Sequence, residues 1–429
     1  MANDSNDQRS KNYFIEYFTI LCIFCRLGFP GNYTRILGGE NIRILLDYGI
    51  SLLQMVIMLF ASGDTLSEIK LLDLKRKYRW IYVMLAVITV ISLMVTDNRG
   101  KQMTIIIRFM ITALFGLWMA DYYNAKRILE IFYYAQIGII IANLASLLLF
   151  SSVGYYVDDG YGYIFRGIYM QKNGLGAEMG AALCLQTAFA CLKRLDQERM
   201  SRIFILSYFA EIFLMLVSQS TSSMISAIIT CLYLIYVFRK NENVYRIQWG
   251  ISYTSISVGF LFASSVILPI VAPFLESLGK DATLSNRTPM WKNVINFMQK
   301  SHTMTGYGLL QFWENPEALK ALQRMFSSNS WYRTMDYGAH NVILEMWLDI
   351  GLVGIAVFFL TMISCFHRVK EQTIQEYILC SAIMLPQLME GVTDRMYTNV
   401  GYATCFLFIC LGVACKWQNR KTRYGTNAF

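Results

Sequence analysis

The chain has 429 residues, of which 55% are hydrophobic and only 16% are charged. A soluble globular chain carries about 25% charged residues, so this composition argues against an ordinary soluble protein. The net charge is +9. In a membrane protein such an excess fits the cytoplasmic Lys and Arg residues that orient helices, which argues against nucleic acid as a partner. The hydrophobic residues come in blocks of about 20, the length that a helix needs to cross a hydrocarbon layer of roughly 30 Å.

Twelve such blocks predict about twelve transmembrane helices, because a helix satisfies its own backbone polar groups in lipid. The predicted spans are residues 13–29, 45–62, 80–96, 103–121, 128–150, 173–192, 203–217, 222–238, 249–273, 341–363, 374–391 and 397–415. The predicted fold class is therefore all-α, a polytopic integral membrane helical bundle with one large, partly helical extracytoplasmic loop.

Alternate connections between these spans are rich in Lys and Arg, which predicts that both chain termini lie in the cytoplasm. The predicted organisation begins with an N-terminal tail (1–12), followed by helices one to nine (13–273), which include an outer loop at 151–172. A large extracytoplasmic loop (274–340), helices ten to twelve (341–415) and a C-terminal tail (416–429) follow. Residues 1–12 are polar and no small-residue cleavage site follows, so we expect a membrane helix rather than a cleaved signal peptide.

Two outer segments break the pattern of short connections. Residues 151–172 are rich in Tyr and Gly, and residues 274–340 form a long hydrophilic insertion. Long loops in compact proteins are usually functional. Within the long loop, Asn286, Thr288 and Pro289 predict the start of a helix that runs through Met298. Asn315, followed by Pro316 and Glu317, predicts another helix that runs to about Phe326.

His340 lies where the large loop enters the tenth predicted span, and Asn341 and Glu345 follow it. A histidine at a water–lipid boundary is often only an amphipathic anchor. The same position also suits a general base that meets a substrate from the aqueous side. Position alone leaves both readings open.

Arginines on the outer side give a second signal. Arg166 and Arg287 belong to different outer loops, Arg333 lies further along the large one, and Arg166 is followed by Lys172 and Asn173. The planar guanidinium group matches phosphate oxygens with two parallel hydrogen bonds. Arginines from separate loops would therefore suit a diphosphate, although pairing with lipid headgroups or nearby Asp side chains stays open.

Ionisable residues inside the predicted spans are costly in lipid and usually face a partner or a water-filled cavity. Arg108, Glu178, Glu211 and Glu345 are of this kind. Glu178 follows Lys172 by about one and a half helical turns, so it could face the same cavity as the outer arginines or form a buried structural pair. Aromatic residues in the outer loops could stack on sugars or form an interfacial belt.

Several motifs together resemble one family. His340-Asn341, then nine residues, Gly351, two residues and Gly354 resembles the signature His-[Asn/Ser/Gln]-x9-Gly-x2-[Gly/Thr/Tyr] of the O-antigen ligase and Wzy-type polymerase superfamily. Further similarity lies in three shorter segments: Arg287-Thr288-Pro289-Met290-Trp291 with the family's Arg-Thr-x-x-Trp, Gly306-Tyr307-Gly308 with its Gly-x-Gly turn, and Arg166 with Lys172-Asn173.

The resemblance implies a glycosyltransferase type C-like fold and a transfer that needs neither a metal nor another cofactor. By resemblance, His340 would activate an acceptor hydroxyl, and Arg166 and Arg287 would bind the diphosphate of an undecaprenyl-diphosphate-linked oligosaccharide. The supporting residues of this hypothesis are Lys172, Asn173, Glu178, Arg333, Asn341 and Glu345.

The leading functional hypothesis is a polymerase that joins lipid-linked repeat units of O-antigen, capsule or exopolysaccharide at the outer face of the bacterial cytoplasmic membrane. Its expected partners are the lipid-linked oligosaccharide, the bilayer, a chain-length regulator and a flippase. Two alternatives stay open: an O-antigen ligase that transfers glycan to lipid A core, and a flippase or transporter of lipid-linked oligosaccharide. Transporters tend to show internal repeats and midplane sites, and the sequence shows no repeat.

Overall fold

The computed structural model describes residues 2–28, 40–62, 78–158, 162–277, 287–326, 338–367, 369–392 and 402–424. Within these ranges, twelve long helices each overlap one predicted span, and two shorter helices lie in the large loop. The helices are α1 (Ala2–Gly28), α2 (Glu40–Ser62), α3 (Arg79–Val95), α4 (Arg99–Tyr122), α5 (Ala125–Leu148), α6 (Lys172–Leu195), α7 (Arg202–Ser218), α8 (Thr221–Lys240), α9 (Trp249–Ser277), α10 (Arg287–Met298), α11 (Pro316–Gln323), α12 (Val342–Phe366), α13 (Ile374–Gly391) and α14 (Tyr402–Tyr424).

Six of the described helices, α2, α4, α5, α6, α8 and α12, are long and apolar enough to cross a membrane. Large apolar side chains also cover the outside of the bundle. Leu45, Met94, Leu148 and Phe209 are all more than half exposed. Such a surface would be a liability in water, whereas lipid solvates it without cost. The protein is therefore an all-α polytopic membrane protein, as predicted.

The two chain ends extend the helices beyond the predicted spans. α1 begins at Ala2, so the residues predicted as a polar N-terminal tail continue the first helix. α14 begins at Tyr402 and runs to Tyr424, so much of the predicted C-terminal tail is also helical. Both extensions are polar, and a helix that is already nucleated adds further residues at little cost.

α6 lies at the centre of the bundle. Within its membrane window 83% of the residues are buried, against 28–61% in the other five long apolar helices. It packs against α5, α7, α8 and α13. Polar groups on α6 therefore face other helices rather than lipid.

Two arginines inside the bundle share one carboxylate. Arg108 on α4 lies 2.7 Å from an oxygen of Asp47 on α2, and Arg26 on α1 lies 3.6 Å from the other oxygen. Arg26 also donates hydrogen bonds to Ser51 at 3.0 Å and to Gln54 at 3.2 Å. The partner expected for Arg108 is thus Asp47, which the sequence did not identify.

A small β-hairpin lies between α5 and α6. Strand β1 (Tyr155–Asp158) pairs antiparallel with β2 (Gly162–Phe165), and Tyr155 lies opposite Phe165. The sequence predicted only a Tyr- and Gly-rich loop here. The pairing is explained by β-branched and aromatic residues on both sides of the turn, and Ile164 and Phe165 are buried against the bundle.

The large loop has a hydrophobic core of its own. Its members come from α10, α11, the segment between them and the first turns of α12: Met290, Trp291, Val294, Phe297, Met298, Phe312, Ala318, Leu322, Phe326, Ala339, Leu344 and Leu348. This is a satellite cluster of the type found under long loops. The loop residues that the structure describes are therefore packed onto the beginning of α12.

Both loop helices form where the sequence predicts them. α10 covers Arg287–Met298. α11 begins at Pro316, and the Asn315 side chain caps it by accepting hydrogen bonds from the backbone N–H of Glu317 at 3.1 Å and of Ala318 at 3.0 Å. α11 ends at Gln323, three residues earlier than predicted, and an irregular turn carries the chain to Phe326.

Helix α12 is broken at Gly351, where φ is 64° and ψ is −175°. The loop segment 303–308 docks at this break and exchanges backbone hydrogen bonds with the helix. The N–H groups of Tyr307 and Gly308 donate to the carbonyls of Leu348 and Asp349, both at 2.8 Å, and the N–H groups of Leu352 and Val353 donate to Thr303 and Met304, both at 3.1 Å. The break therefore leaves these four backbone groups of the helix satisfied by the loop.

Glycine is needed on both sides of this junction. A Cβ atom on Gly351 would lie 2.2 Å from the carbonyl oxygen of Met304, and one on Gly306 would lie 2.6 Å from the carbonyl carbon of Asp349. Both glycines also have positive φ. Gly351 of the His340 signature and the Gly306-Tyr307-Gly308 turn are thus two halves of one contact.

Replacing Gly351 with Ala is expected to destabilise the protein, because the new Cβ meets backbone and the conformation is one that only glycine adopts readily. Backbone strain of this kind costs roughly 1–3 kcal/mol, before any cost of the clash. Thermal unfolding of the purified protein in detergent measures the change. The control is Gly259→Ala in α9, where nothing lies within 4 Å of the added Cβ. A Gly351→Ala variant as stable as the Gly259→Ala variant would contradict this account.

Candidate active site

His340 lies two residues before the start of α12 and is half-buried. Its φ is 49°, in the left-handed region. Histidine is among the residues that adopt this region more often than most, but the conformation still costs free energy. It persists only where the surrounding structure fixes the chain, so the neighbours of His340 decide its position.

The backbone is held on both sides of His340. Before it, the carbonyl of Ala339 accepts a hydrogen bond at 2.8 Å from the indole N–H of Trp291 on α10. After it, the Asn341 side chain caps α12 by accepting hydrogen bonds from the N–H groups of Ile343 at 3.0 Å and Leu344 at 3.2 Å. Asn341 is fully buried. Its predicted supporting role therefore has a physical form, which is to position the residue beside it.

Glu345 closes the turn around His340. Its side chain is only 2% exposed. One carboxylate oxygen accepts a hydrogen bond from the backbone N–H of Ala339, and the other accepts one at 2.9 Å from the indole N–H of Trp313. Trp313 was one of the aromatic residues for which sugar stacking or a place in the interfacial belt was expected. Its indole instead takes part in holding the turn.

Arg287 is the first residue of α10 and is half-buried. Trp291 follows it by one helical turn on the same face, and a turn rises about 5.4 Å. Because Trp291 contacts Ala339, the first turn of α10 lies beside the His340 turn. The Arg-Thr-x-x-Trp segment and the histidine signature therefore meet through the Trp291–Ala339 hydrogen bond.

Arg166 lies at the end of the hairpin, between β2 and α6. Its Nε donates to the Val153 carbonyl at 3.4 Å and one terminal nitrogen donates to the Met170 carbonyl at 3.3 Å. Its guanidinium group lies over the ring of Tyr156 with a 5.2 Å separation from the centroid. Lys172 and Asn173 are the first two residues of α6, and both are half-buried.

The chain around Arg166 is also fixed by α5. Gly167 has φ of 60°, and a Cβ there would lie 1.9 Å from the side-chain oxygen of Asn143. The same oxygen accepts a hydrogen bond from the N–H of Ile168 at 3.1 Å. Arg166 thus belongs to a well-fixed turn that leads into α6.

The end of α13 packs against both the His340 turn and α6. The Asn341 side chain donates a hydrogen bond at 3.1 Å to the carbonyl of Val392, just beyond α13. Two residues earlier, Glu390 lines a cavity whose walls also include residues of α6, the helix that begins at Lys172. Glu178 lies inside the bundle, 2% exposed, where it lines a cavity with Glu211. Arg333 lies outside the described residues.

Glu390 was not among the candidates from the sequence, although it lies within a predicted span. It is 6% exposed and lines a cavity between α6, α13 and α14. The signal that could have found it is the one that identified Glu178 and Glu211, namely the high cost of a carboxylate in a membrane helix.

Comparison with known proteins agrees with this geometry. Residues 203–359 match the family described as O-antigen ligase. The matched segment begins in α7 and ends in α12, so it contains Arg287, the loop core, His340 and both signature glycines. No curated protein matches the chain. Members of the matched family are glycosyltransferase-like enzymes, and residues 203–359 of this chain are similar to the domain of that family.

Proposed function

We propose that this protein is a polymerase of lipid-linked oligosaccharide repeat units, with His340 as general base. The observation that carries the proposal is the fixed turn at His340, held by Trp291, Asn341 and Glu345 inside the segment that matches the family. Function of the ligase and polymerase type is common to that family, and a lipid-linked oligosaccharide is the substrate that it implies.

In the proposed reaction a hydroxyl of the acceptor sugar gives its proton to the imidazole of His340. The hydroxyl oxygen forms a bond to the anomeric carbon of the donor, and the bond from that carbon to the diphosphate oxygen breaks. The leaving diphosphate is bound by Arg166 and Arg287, whose positive charges stabilise the charge that develops on it. Direct attack inverts the anomeric configuration. The proposed mechanism uses no metal ion.

Four of the six supporting residues divide between the two ends of this reaction. Lys172 and Asn173, at the start of α6, would assist Arg166 in binding phosphate. Asn341 and Glu345 are positioning residues, since their side chains bind the backbone on either side of His340. We place the reaction at the outer face of the bacterial cytoplasmic membrane, with both termini cytoplasmic and the large loop outside. The basic connections on the opposite side support this orientation.

Purified protein in liposomes is expected to lengthen glycan and release undecaprenyl diphosphate when supplied only with undecaprenyl-diphosphate-linked repeat units. Gel electrophoresis of the glycan and mass spectrometry of the lipid measure the two products. A ligase would show no chain growth and would transfer glycan only when lipid A core is added. A transporter would move the lipid-linked substrate across the membrane without chain growth. Either outcome would overturn the polymerase proposal.

His340→Ala is expected to reduce the rate of chain growth by about 10²–10⁴-fold, the contribution typical of a general base. The matched control is His302→Ala. His302 lies in the same loop, has φ of 51° and is exposed, with its ring 4.4 Å from that of Tyr307. Both substitutions place Ala at a left-handed position, so they share the backbone cost. Equal activity of the two variants would remove His340 from the proposed mechanism.

Arg287→Lys is expected to reduce chain growth by about 10- to 100-fold, because a point charge cannot replace two parallel hydrogen bonds to a phosphate. The control variant is Arg324→Lys, for which chain growth is measured in the same way, because Arg324 is exposed just beyond the end of α11. If Arg287→Lys retained full activity at low donor concentration, Arg287 would not be a diphosphate ligand.

A further inference from the structure

A cavity inside the bundle is lined by polar side chains that take no part in the reaction steps proposed above. Glu178 and Gln186 lie on α6, Gln136 on α5 and Glu211 on α7. All four side chains are buried, with exposed fractions of 1–6%. The cavity has room for about one water molecule. The rest of the described lining consists of Tyr133 and of apolar residues that include Phe132 and Phe406.

The hydrogen-bonding groups in this cavity are unbalanced. Glu178 Oε2, Glu211 Oε2 and Gln186 Oε1 are buried acceptors without a partner, against one such donor, Gln136 Nε2. The side-chain nitrogen of Gln186 already donates to the carbonyl of Phe204 at 2.7 Å and to Ser207 Oγ at 2.8 Å. The side-chain oxygen of Gln186 is therefore the atom that lacks a partner. A buried group without a partner costs about 1–3 kcal/mol. A proton on a carboxyl group turns an acceptor into a donor and corrects the imbalance.

The charges around the two carboxyl groups are also unbalanced. The groups described as interacting electrostatically with Glu178 are Glu211, Glu390 and Tyr169, and those around Glu211 also include Cys231, Tyr133 and Tyr208. Apart from Tyr169, they come from the four helices that pack closely on α6, and the described residues that line the cavity include no Lys, Arg or His. Two ionised carboxylates in this cavity would have no cation in its lining, and a buried charge without a partner is strongly destabilising.

We propose that Glu178 and Glu211 form a proton-binding site inside the membrane bundle, in which Gln136, Gln186 and one buried water complete the hydrogen bonds. The ligand is the proton, held by a carboxyl group or as a hydrated proton between the two. This site is separate from the His340 turn and does not depend on the function proposed for it.

A second cavity provides the route by which protons would exchange. It shares Ala181, Leu185 and Phe406 with the first cavity and is lined by Gln387 and Glu390 of α13. Glu390 lies two residues before Val392, whose carbonyl binds Asn341. We therefore expect protons to enter and leave from the side of the membrane on which His340 lies.

The test uses dicyclohexylcarbodiimide, an apolar reagent that attacks protonated carboxyl groups in lipid-like surroundings. Full-length protein in liposomes is treated over a range of pH, digested and analysed by peptide mass. Adducts are expected on Glu178 or Glu211, and their yield should fall roughly tenfold or more from acidic to strongly alkaline buffer, because only the protonated acid reacts. The water-soluble carbodiimide analogue should leave both residues unmodified.

Glu345 is the internal control, because it is as buried as Glu178 but each of its carboxylate oxygens accepts a hydrogen bond. It should stay unmodified in the same sample, because both of its oxygens already have fixed donors. Glu178→Gln should shift the adduct to Glu211, and the double variant Glu178→Gln with Glu211→Gln should carry no adduct on α6 or α7. Because Gln has the shape of the neutral acid, the double variant should unfold at the same temperature as the parent.

Three results would overturn the proposal: no adduct on either residue, a yield independent of pH, or equal modification of Glu345. Protection by sodium ions at constant pH would also overturn it, since the ligand would then be a metal cation. Glycan polymerisation is not a readout of this experiment. A failure of the proton-site proposal can therefore be distinguished from a failure of the polymerase proposal.

Discussion

The exchange of backbone hydrogen bonds at Gly351 is the constraint on which the geometry around His340 depends. A helix in a membrane must satisfy its own backbone groups, and α12 breaks this rule after its first two and a half turns. The loop segment 303–308 supplies the missing partners. In doing so it brings the loop core onto the part of α12 that carries Asn341 and Glu345. The break thus converts a long connection into a fixed platform beside the membrane helix.

Two of the four residues of the histidine signature are explained by this platform alone. Asn341 caps α12, and glycine is the only residue type that the docked loop allows at position 351. His340 is different, because its backbone is held in an unfavourable left-handed conformation. Strain that the surroundings hold in place is typical of functional residues. The contrast supports a chemical role for His340 and structural roles for its neighbours.

The sequence predicted the helices well because each depends on local signals: apolar length in the membrane, and Asn-Pro capping in the loop. Contacts between distant segments carry no such signal. The bond from Trp313 to Glu345 spans 32 residues, and the pairing of Arg108 with Asp47 joins α4 to α2. The hairpin at 155–165 was missed because its strands are only four residues long. Arg166 and Arg287, the proposed diphosphate ligands, were related only by the family resemblance, because they lie in segments that are far apart in the sequence.

Three buried glutamates show that burial alone does not determine what a carboxyl group can do. Glu345 has one donor for each oxygen, a backbone N–H and an indole N–H, so its side chain holds a turn. Glu178 and Glu211 are equally inaccessible but face acceptors and one another. The same residue type therefore serves as a structural brace where donors converge on it and becomes a proton carrier where they do not. The deciding quantity is the local balance of donors and acceptors, which the amino-acid sequence does not reveal until the helices are packed.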